Sequence, residues 1–267
     1  GSYSFPPTTY LSTSLPDTTA PTLSGMSIAS NNTTNTLAKP GDDVTLTFTA
    51  SEAIDTPVVT FKSGGAAVTD ISVYSNTTGD TWTTVYKANA NDTDGPVTYS
   101  IAFSDTAGNA GTPVTSGSGS VTTDTSIPTL SAVSISSNNA NRSMATPTDV
   151  VTLSFTASEA IQSPTVTASS GGAAVNGNIT ASNTSGNNWS ASFTADSNDT
   201  AGPVTYNISF SDTAGNAGTA VTTTTDSSRV AVVIDTDLPN KSSCCPSCAC
   251  SFVSKVEFLQ SLPSAKY

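Results

Sequence analysis

The feature that most constrains this chain is an internal repeat. The nine residues SDTAGNAGT occur at 104–112 and again at 211–219, so the two copies are offset by 107 residues. The same offset aligns further segments without a gap: VTLTFTASEAI at 44–54 with VTLSFTASEAI at 151–161, SGGAAV at 63–68 with 170–175, and NDTDGPVTY at 91–99 with NDTAGPVTY at 198–206. Self-similarity at a fixed period indicates tandem copies of one folding unit.

The repeat divides the chain into four segments. The first copy starts with DTTAPTL at Asp17 and the second with DTSIPTL at Asp124, and a third start, DTDLP at Asp235, soon gives way to unrelated sequence. We therefore predict a Thr- and Pro-rich extension over residues 1–16, a first Ig-like domain over 17–123, a second over 124–234, and a Cys-rich tail over 235–267.

Within each copy the hydrophobic residues alternate with period 2. Val44, Leu46 and Phe48 would face a core while the threonines between them face water, as a half-buried antiparallel strand requires. Similar patterns recur near 23–29, 57–62, 66–74, 81–88, 97–103 and 112–122, separated by Gly, Pro, Asn and Asp. Seven short strands with such punctuation predict an all-β fold of two tandem Ig-like Greek-key β-sandwiches.

Two pairs of aromatic residues fall in register between the copies. Trp82 and Trp189 would open the fifth strand of each sandwich and fill its core. Tyr99 and Tyr206 lie early in the sixth strand, which suits the tyrosine corner of Greek-key sandwiches.

The composition excludes several classes of function. The chain has no histidine, which removes Ser-His-Asp and Cys-His catalytic arrangements and the commonest metal ligand. With 8 basic against 20 acidic residues and a net charge of −12, a nucleic-acid partner is disfavoured, whereas hard cations are suitable ligands. No apolar run is long enough for a membrane helix. We predict that the chain is not an enzyme.

The repeat motifs identify a likeness. An opening D-x-x-x-P, the corner TASE at 49–52 and 156–159, and the closing DTAGN loop at 105–109 and 212–216 resemble the bacterial Ig-like repeats of large extracellular adhesins and surface fibres. The resemblance covers residues 17–235. It implies an extracellular or cell-surface location and a non-catalytic role as a spacer or building block.

Three acidic positions in each copy should meet at the pole where the chain enters the sandwich. In Ig strand order, the loop after the second strand, the loop after the sixth strand and the entering residue lie at this pole. The candidate calcium ligands are Asp17, Glu52, Asp105 and Asn109 in the first copy and Asp124, Glu159, Asp212 and Asn216 in the second. Asp42, Asp43, Asp92 and Asp94, at the exit pole of the first copy, would add oxygen donors to the junction.

The same loop has a purely structural interpretation. Asp105 and Asn109 would cap the amides of a tight turn, and Gly108 would supply a positive φ. Turns and calcium loops use the same residue types, so the sequence leaves both open.

The sequence also predicts covalent modification. Among the Asn-x-Ser/Thr triplets, Asn76 pairs with Asn183 and Asn91 pairs with Asn198, each in a predicted turn, which makes these four the best glycosylation candidates. Four cysteines, Cys244, Cys245, Cys248 and Cys250, lie within CCPSCAC, too close together for a tetrahedral zinc site. We expect two disulfides there, with the pairing left open.

Two functions follow from these observations. The strand-like tail FVSKVEFLQSL at 252–262, or the run VAVVI at 230–234, could fold back on its own sandwich or complete the sheet of a neighbouring copy. The main prediction is therefore a fibre subunit that self-associates through its N- and C-terminal segments. The alternative is a stalk segment of a large adhesin, stiffened by calcium. The expected partners are further copies of the chain and glycans, and no cofactor other than calcium is a candidate.

Overall fold

The structure, a computed structural model, describes Gly1 and residues 15–234, with backbone alone for residues 72–78. In this part of the chain all regular structure is β, and it forms four sheets. The strands of the first unit are β1 (Leu23–Ser30), β2 (Leu37–Ala38), β3 (Asp43–Ala50), β4 (Val58–Ser63), β5 (Ala66–Ala67), β6 (Ile71–Thr78), β7 (Thr81–Lys87), β8 (Gly95–Ala102) and β9 (Thr122–Thr123).

The second unit repeats the first element by element. Its strands are β10 (Leu130–Ser137), β11 (Met144–Ala145), β12 (Val150–Ala157), β13 (Thr165–Ser170), β14 (Ala173–Ala174), β15 (Thr180–Ser185), β16 (Asn188–Thr194), β17 (Gly202–Ser209) and β18 (Ala231–Val232). No helix in the part of the chain that the structure describes is long and apolar enough to cross a membrane.

The strand order is that of an immunoglobulin-like sandwich. In the first unit one sheet has the order β1-β3-β7-β6 and the other β2-β9-β8-β4-β5. The second unit has the corresponding orders β10-β12-β16-β15 and β11-β18-β17-β13-β14. These orders match the ABED and CFG sheets of Ig domains, extended by two short edge strands. The predicted all-β, tandem Ig-like fold is therefore confirmed.

Each sandwich has its own hydrophobic core. The alternation in β3 is complete, with Val44, Leu46 and Phe48 buried and the intervening threonines half-exposed. The first core draws its residues from Ile28 to Val121 and the second from Val133 to Val232, with none shared. Two separate cores make each unit a candidate for independent unfolding.

The two cores differ in the packing of a large side chain on the fourth strand of the sandwich. Phe61 is 1% exposed and stacks near Tyr86, with ring centroids 5.9 Å apart. At the matching positions the second unit has Ala168 and Phe193, and both line a small apolar cavity of about 10 Å³. The second core has thus closed around the smaller residue, whereas the first depends on the Phe61 ring.

Two predicted strands differ from the observed ones. The pattern at 66–74 is divided between β5 and β6, because Thr69 and Asp70 form a bend between them. The segment 112–122 is mostly irregular, with single bridges at Val114 and Ser118 before β9 begins. Pro113 and two glycines, Gly117 and Gly119, in this segment explain the loss of a continuous ladder.

The run VAVVI at 230–234 belongs to its own sandwich. Within it, β18 pairs with β11 in parallel and with β17 antiparallel. The alternative that this run completes a neighbour's sheet is therefore wrong for Ala231 and Val232, since both edges of β18 are already paired.

The aromatic predictions have mixed outcomes. Trp82 is buried in the first core, as predicted, whereas Trp189 packs half-exposed at the margin of the second. The tyrosine-corner prediction is wrong, because the buried hydroxyls of Tyr99 and Tyr206 have no hydrogen-bond partner among the described residues. Burial and the nearby Asp226 raise the pKa of Tyr206 to about 12.

Replacing Phe61 by alanine should destabilise the first unit and leave the stability of the second unit unchanged. We expect Phe61→Ala to lower the free energy of unfolding of that unit by about 3–5 kcal/mol, because it removes a buried ring from a packed core. Differential scanning calorimetry should show one of two transitions moving down while the other stays.

Lys62→Ala is the matched control, since Lys62 is the next residue of β4 and is exposed. This variant should change stability by no more than about 0.5 kcal/mol. A parallel shift of both transitions by Phe61→Ala would contradict the independence of the two cores.

Candidate functional site

The repeated loop is built around a buried aspartate. In the second unit Asp212 is 0% exposed, and its Oδ1 accepts hydrogen bonds from the backbone N–H groups of Gly215 (2.6 Å) and Asn216 (2.8 Å). Its Oδ2 accepts a hydrogen bond of 2.8 Å from Asn216 Nδ2. A carboxylate has about four lone-pair positions, so this cage leaves one on Oδ2.

The first unit has a similar cage, in which Ala107 replaces the loop glycine as one of the backbone donors. Asp105 is 1% exposed; its Oδ1 accepts the N–H groups of Ala107 (2.9 Å) and Asn109 (2.8 Å), and its Oδ2 accepts Asn109 Nδ2 at 2.7 Å. The donated hydrogen bond from Asn109 is the main cause that holds the pKa of Asp105 below its ordinary value. Gly108 and Gly215 both have φ of 93°. The predicted turn-capping role is thus confirmed.

The asparagine of each loop also contacts the entering strand. Asn109 Nδ2 donates to the carbonyl oxygen of Asp17 (3.1 Å), and Asn216 Nδ2 donates to that of Asp124 (3.0 Å). Among these contacts both asparagines act through the amide nitrogen, so they orient the aspartates beside them. Their side-chain oxygens remain candidate ligands.

The structure brings the predicted carboxylates together in both units. Oxygen atoms of Asp17, Glu52 and Asp105 lie within 4.8 Å of one another, and so do those of Asp124, Glu159 and Asp212. We call the first group the outer cluster and the second the junction cluster. The latter lies where the chain passes from the first unit to the second.

The carboxylates repel one another. Desolvation is the main cause that raises the pKa of Glu159, and the charges of Asp124, Asp212 and Asp94 add to it. Desolvation, with a further contribution from Asp212 and Asp94, likewise raises the pKa of Asp124. Glu52 follows the same pattern in the outer cluster. Both clusters therefore concentrate negative charge without a described basic partner.

The donor set fits a hard divalent cation. Three carboxylates supply the oxygen ligands that Ca²⁺ prefers, and two oxygens at about 2.4 Å from one ion can be up to about 4.8 Å apart. The junction cluster fits best, because Asp212 is buried and the other two residues are half-buried, whereas Asp17 is exposed.

The connecting segment, residues 124–126, is hydrogen-bonded to both units. Asn216 of the second unit binds Asp124, and Asp94 of the first unit binds Thr125 and Ser126. The carboxylate of Asp94 accepts hydrogen bonds from Thr125 N (2.6 Å), Thr125 Oγ1 (2.8 Å) and Ser126 Oγ (2.7 Å). The turns that contain Gly64 and Asp94 pack closely against each other. A Cβ on Gly64 would lie only 2.3 Å from the Asp94 carbonyl oxygen. Desolvation of Asp94 is outweighed by these hydrogen bonds, so its pKa is lowered.

A second contact joins the units directly. Asn32, in the turn after β1, donates from Nδ2 to Asp42 Oδ2 (2.6 Å) and to the carbonyl oxygen of Ala214 (2.9 Å) in the second unit. The stem of Lys39 lies beside Gly215, where a Cβ would meet Lys39 Cε at 3.3 Å. Asn32 and Lys39 were not predicted as contact residues from the sequence, and the available signal was the exact repetition of the loop that they cover.

The acidic residues predicted at the exit pole have other roles. Asp42 accepts the amides of Asn32 and Lys39, and Asp43 pairs with Lys87 at 3.1 Å. Asp92 accepts the hydroxyl of the buried Tyr86 and the N–H of Asn89. Asp42, Asp43 and Asp92 therefore make hydrogen bonds and an ion pair within the first unit, and they are not members of the junction cluster.

The glycosylation candidates lie in two settings. Asn91 and Asn198 are exposed in turns, as predicted. Asn76 and Asn183 lie within the edge strands β6 and β15, so the prediction of turns there is wrong, and the alternation of small polar residues hid the strands. Asn183 is exposed and donates to the Gly186 carbonyl oxygen. Cys244, Cys245, Cys248 and Cys250 and the strand-like tail lie outside the described residues.

The comparisons with known proteins yield a likeness of structure alone. No family model matches the chain, and no curated protein matches it by sequence. The I-band fragment I67–I69 of titin is 10% identical, with a TM-score of 0.42, and the alignment covers 80% of this chain. The titin domains Z1Z2 in complex with telethonin are 16% identical over 82% of this chain, with a TM-score of 0.25.

This chain spans about 65% of the length of the titin I67–I69 fragment. The similarity to titin is too low to carry an argument about function. The assignment of the fold rests on the strand order and on the two cores.

Removing the charge of Glu159 should stabilise the metal-free chain. Because the folded-state pKa of Glu159 is raised, the folded chain retains its proton at a pH where the unfolded chain has lost it. The ionised Glu159 carboxylate therefore lowers the stability of the folded chain at pH values above its folded-state pKa. It has no such effect below the unfolded-state pKa of about 4.3.

With a chelator present at pH 7, we expect Glu159→Gln to raise the stability of the second unit by about 0.3 kcal/mol, since water screens the partly exposed charge. Thermal unfolding at a series of pH values should show this gain shrinking towards pH 4. Asp55→Asn, at an exposed carboxylate outside both clusters, serves as the control. A loss of stability for Glu159→Gln in chelator would contradict the repulsion.

Proposed function

We propose that this chain is a non-catalytic spacer of an extracellular or cell-surface structure, in which a divalent cation, Ca²⁺ by ligand chemistry, stiffens the connection between two Ig-like units. The observation that carries the proposal is the junction cluster, in which Asp124 of the connecting segment meets Glu159 and Asp212 of the second unit. A cation bound there would hold the connecting segment against the second unit.

The charge balance supports a cation at this position. Three carboxylates within 4.8 Å of one another repel, and this repulsion adds to the desolvation that is the main cause of the raised pKa values of Asp124 and Glu159. A divalent ion converts this repulsion into attraction, and Ca²⁺ accepts water oxygens in the positions that the protein leaves free. The net charge of −12 also raises the local concentration of cations.

The connecting segment is already fixed on its other side. Asp124 N donates to the Ala38 carbonyl oxygen (2.8 Å), and Asp94 holds Thr125 and Ser126. A cation bound to Asp124 would therefore act on both units at once. This arrangement favours a stiff pair over two beads on a flexible linker.

Three observations favour a structural role over catalysis. The sequence has no histidine, so a hydrolase would depend on carboxylates alone. The carboxylates form equivalent clusters at the same end of both units, as expected of a feature that belongs to the repeat. The buried aspartate of each cluster, Asp105 or Asp212, accepts the hydrogen bonds that hold its own loop.

The extracellular setting and the likeness to bacterial adhesins and surface fibres rest on the repeat motifs and on the Asn-x-Ser/Thr triplets. Assembly of a fibre through the N- and C-terminal segments is the second form of the proposal. Most of those residues lie outside the described part of the chain, so this form stays a prediction from the sequence.

Calcium should stabilise the second unit against unfolding. A ligand that binds only the folded state adds about 2.7 kcal/mol at a concentration one hundred times its dissociation constant. We expect the melting temperature to rise with Ca²⁺ and to return to its starting value with a chelator. Small-angle scattering of the same samples should give a narrower distribution of distances when Ca²⁺ is present.

The double variant Asp124→Asn, Glu159→Gln should lose this effect for the second unit and remain folded without metal. The variant Asp55→Asn should respond to Ca²⁺ like the parent chain. Equal melting curves of the parent chain in millimolar Ca²⁺ and in chelator would refute the cation proposal and leave the spacer without a metal.

A further inference from the structure

Two identical loops in this chain have different surroundings. The sequence SDTAGNAG occurs at 104–111 and at 211–218, with an aspartate held by the loop asparagine and the same glycine φ in both. Ala214 in the second loop is 2% exposed, whereas Ala107, its counterpart in the first loop, is exposed. The sequences are identical and the loop conformations are similar, and the contacts with the first unit account for the burial of Ala214.

The first unit covers the second loop. Asn32 donates its amide to the Ala214 carbonyl oxygen, and Lys39 lies against Gly215. The carboxylate of Asp42 holds Asn32 in position through a hydrogen bond of 2.6 Å. This exit pole, formed by the turn after β1 and the turn before β3, is the surface that receives the loop.

The second unit carries its own copy of that surface. Asn139 occupies the position of Asn32 and donates to Asp149 Oδ2 at 2.7 Å, as Asn32 does to Asp42. The N–H of Thr146 is bound by Asp149 just as the N–H of Lys39 is bound by Asp42. Among the described residues no carbonyl oxygen accepts the second amide hydrogen of Asn139, the one that Asn32 gives to Ala214.

From these matches we infer that the chain associates head to tail, with the 104–111 loop of one copy docked on the exit pole of the second unit of another copy. The contact reproduces between molecules the junction that the structure contains within one molecule. Asn139 takes the role of Asn32, and Ala107 takes the role of Ala214. A contact of this heterologous kind propagates into a linear array unless its rotation closes a ring.

Local charge favours the same partner. Arg142 is exposed beside Asn139 in an open cleft that also contains Asn138. The docked loop would bring the outer cluster of Asp17, Glu52 and Asp105 to this side. Arg142 thus offers one positive charge to an acidic loop, whereas the nearby Asp149 carboxylate and the net charge of −12 oppose association.

The contact should be weak for each pair of molecules. Within one chain the connecting segment supplies a high effective concentration of one unit near the other, and separate copies lack this advantage. One loop in one pole also buries little area compared with a standard interface. The association is therefore best measured by sedimentation equilibrium of the full chain up to about 1 mM, which reaches weak complexes.

Variants at the two sides test the contact independently. Ala107→Arg places a bulky cation on the exposed loop, and Arg142→Glu reverses the charge of the receiving pole; both positions are exposed, so both variants should fold. We expect Ala107→Arg to lower the association constant at least about tenfold, because it places a bulky side chain within the contact, and Arg142→Glu to lower it by adding a repulsive charge at the receiving pole. Thr98→Arg, in the exposed middle of β8, should associate like the parent chain.

Mixing the two variants gives the decisive result. Each variant retains one intact side, so an equimolar mixture should form heterodimers and stop there. Association of the parent chain that both variants leave unchanged would overturn the inference, and so would a parent chain that stays monomeric at every concentration.

Deleting residues 236–267 distinguishes this contact from assembly through the tail. The pole contact should survive the deletion, whereas loss of association on deletion, with both point variants still associating, would overturn the inference in favour of the tail. The inference does not depend on the cation, because it rests on the burial of Ala214 and the amide of Asn32. Its failure is therefore separable from that of the cation proposal, which is read from melting of the second unit in Ca²⁺.

Discussion

The buried carboxylate of Asp212, caged by Asn216, is the interaction on which the junction of this molecule depends. It fixes the loop after β17 so that the Asn216 amide reaches the Asp124 carbonyl oxygen and the Ala214 carbonyl oxygen faces Asn32. A buried charge is tolerated only when its lone pairs are hydrogen-bonded, and here three donors meet that need. Loop shape, connecting segment and contact between units thus follow from one satisfied aspartate.

The two copies show how one framework carries different local solutions. Phe61 and Tyr86 fill the first core, and the Tyr86 hydroxyl reaches Asp92. The second core has Ala168 and Phe193 at these positions, and its matching aspartate, Asp199, accepts the N–H of Asn176 instead of a tyrosine hydroxyl. The strand order survives these changes because it depends on the alternation of buried and exposed residues, which both copies keep.

The acidic ends of the units combine a structural and a candidate functional role in the same residues. The aspartate of each loop uses three lone-pair positions to hold the turn, and the neighbouring carboxylates add charge without adding hydrogen bonds to the loop. The turn and the cation are therefore compatible interpretations of one motif. A loop that is rigid before a ligand arrives loses little entropy on binding it.

The sequence by itself determined the two-unit sandwich and the membership of both acidic clusters, because strand alternation and loop order at a pole are local patterns that the 107-residue offset repeats. It could not show that 112–122 is largely irregular, that β18 pairs within its own sheet, or that the Tyr99 and Tyr206 hydroxyls find no partner among residues 15–234 as the structure describes them. Only the tertiary structure decided that Ala214 is buried and Ala107 exposed. Their sequences are identical locally, and burial depends on a surface more than 180 residues away along the chain, as the Asn32 to Ala214 hydrogen bond spans 182 positions.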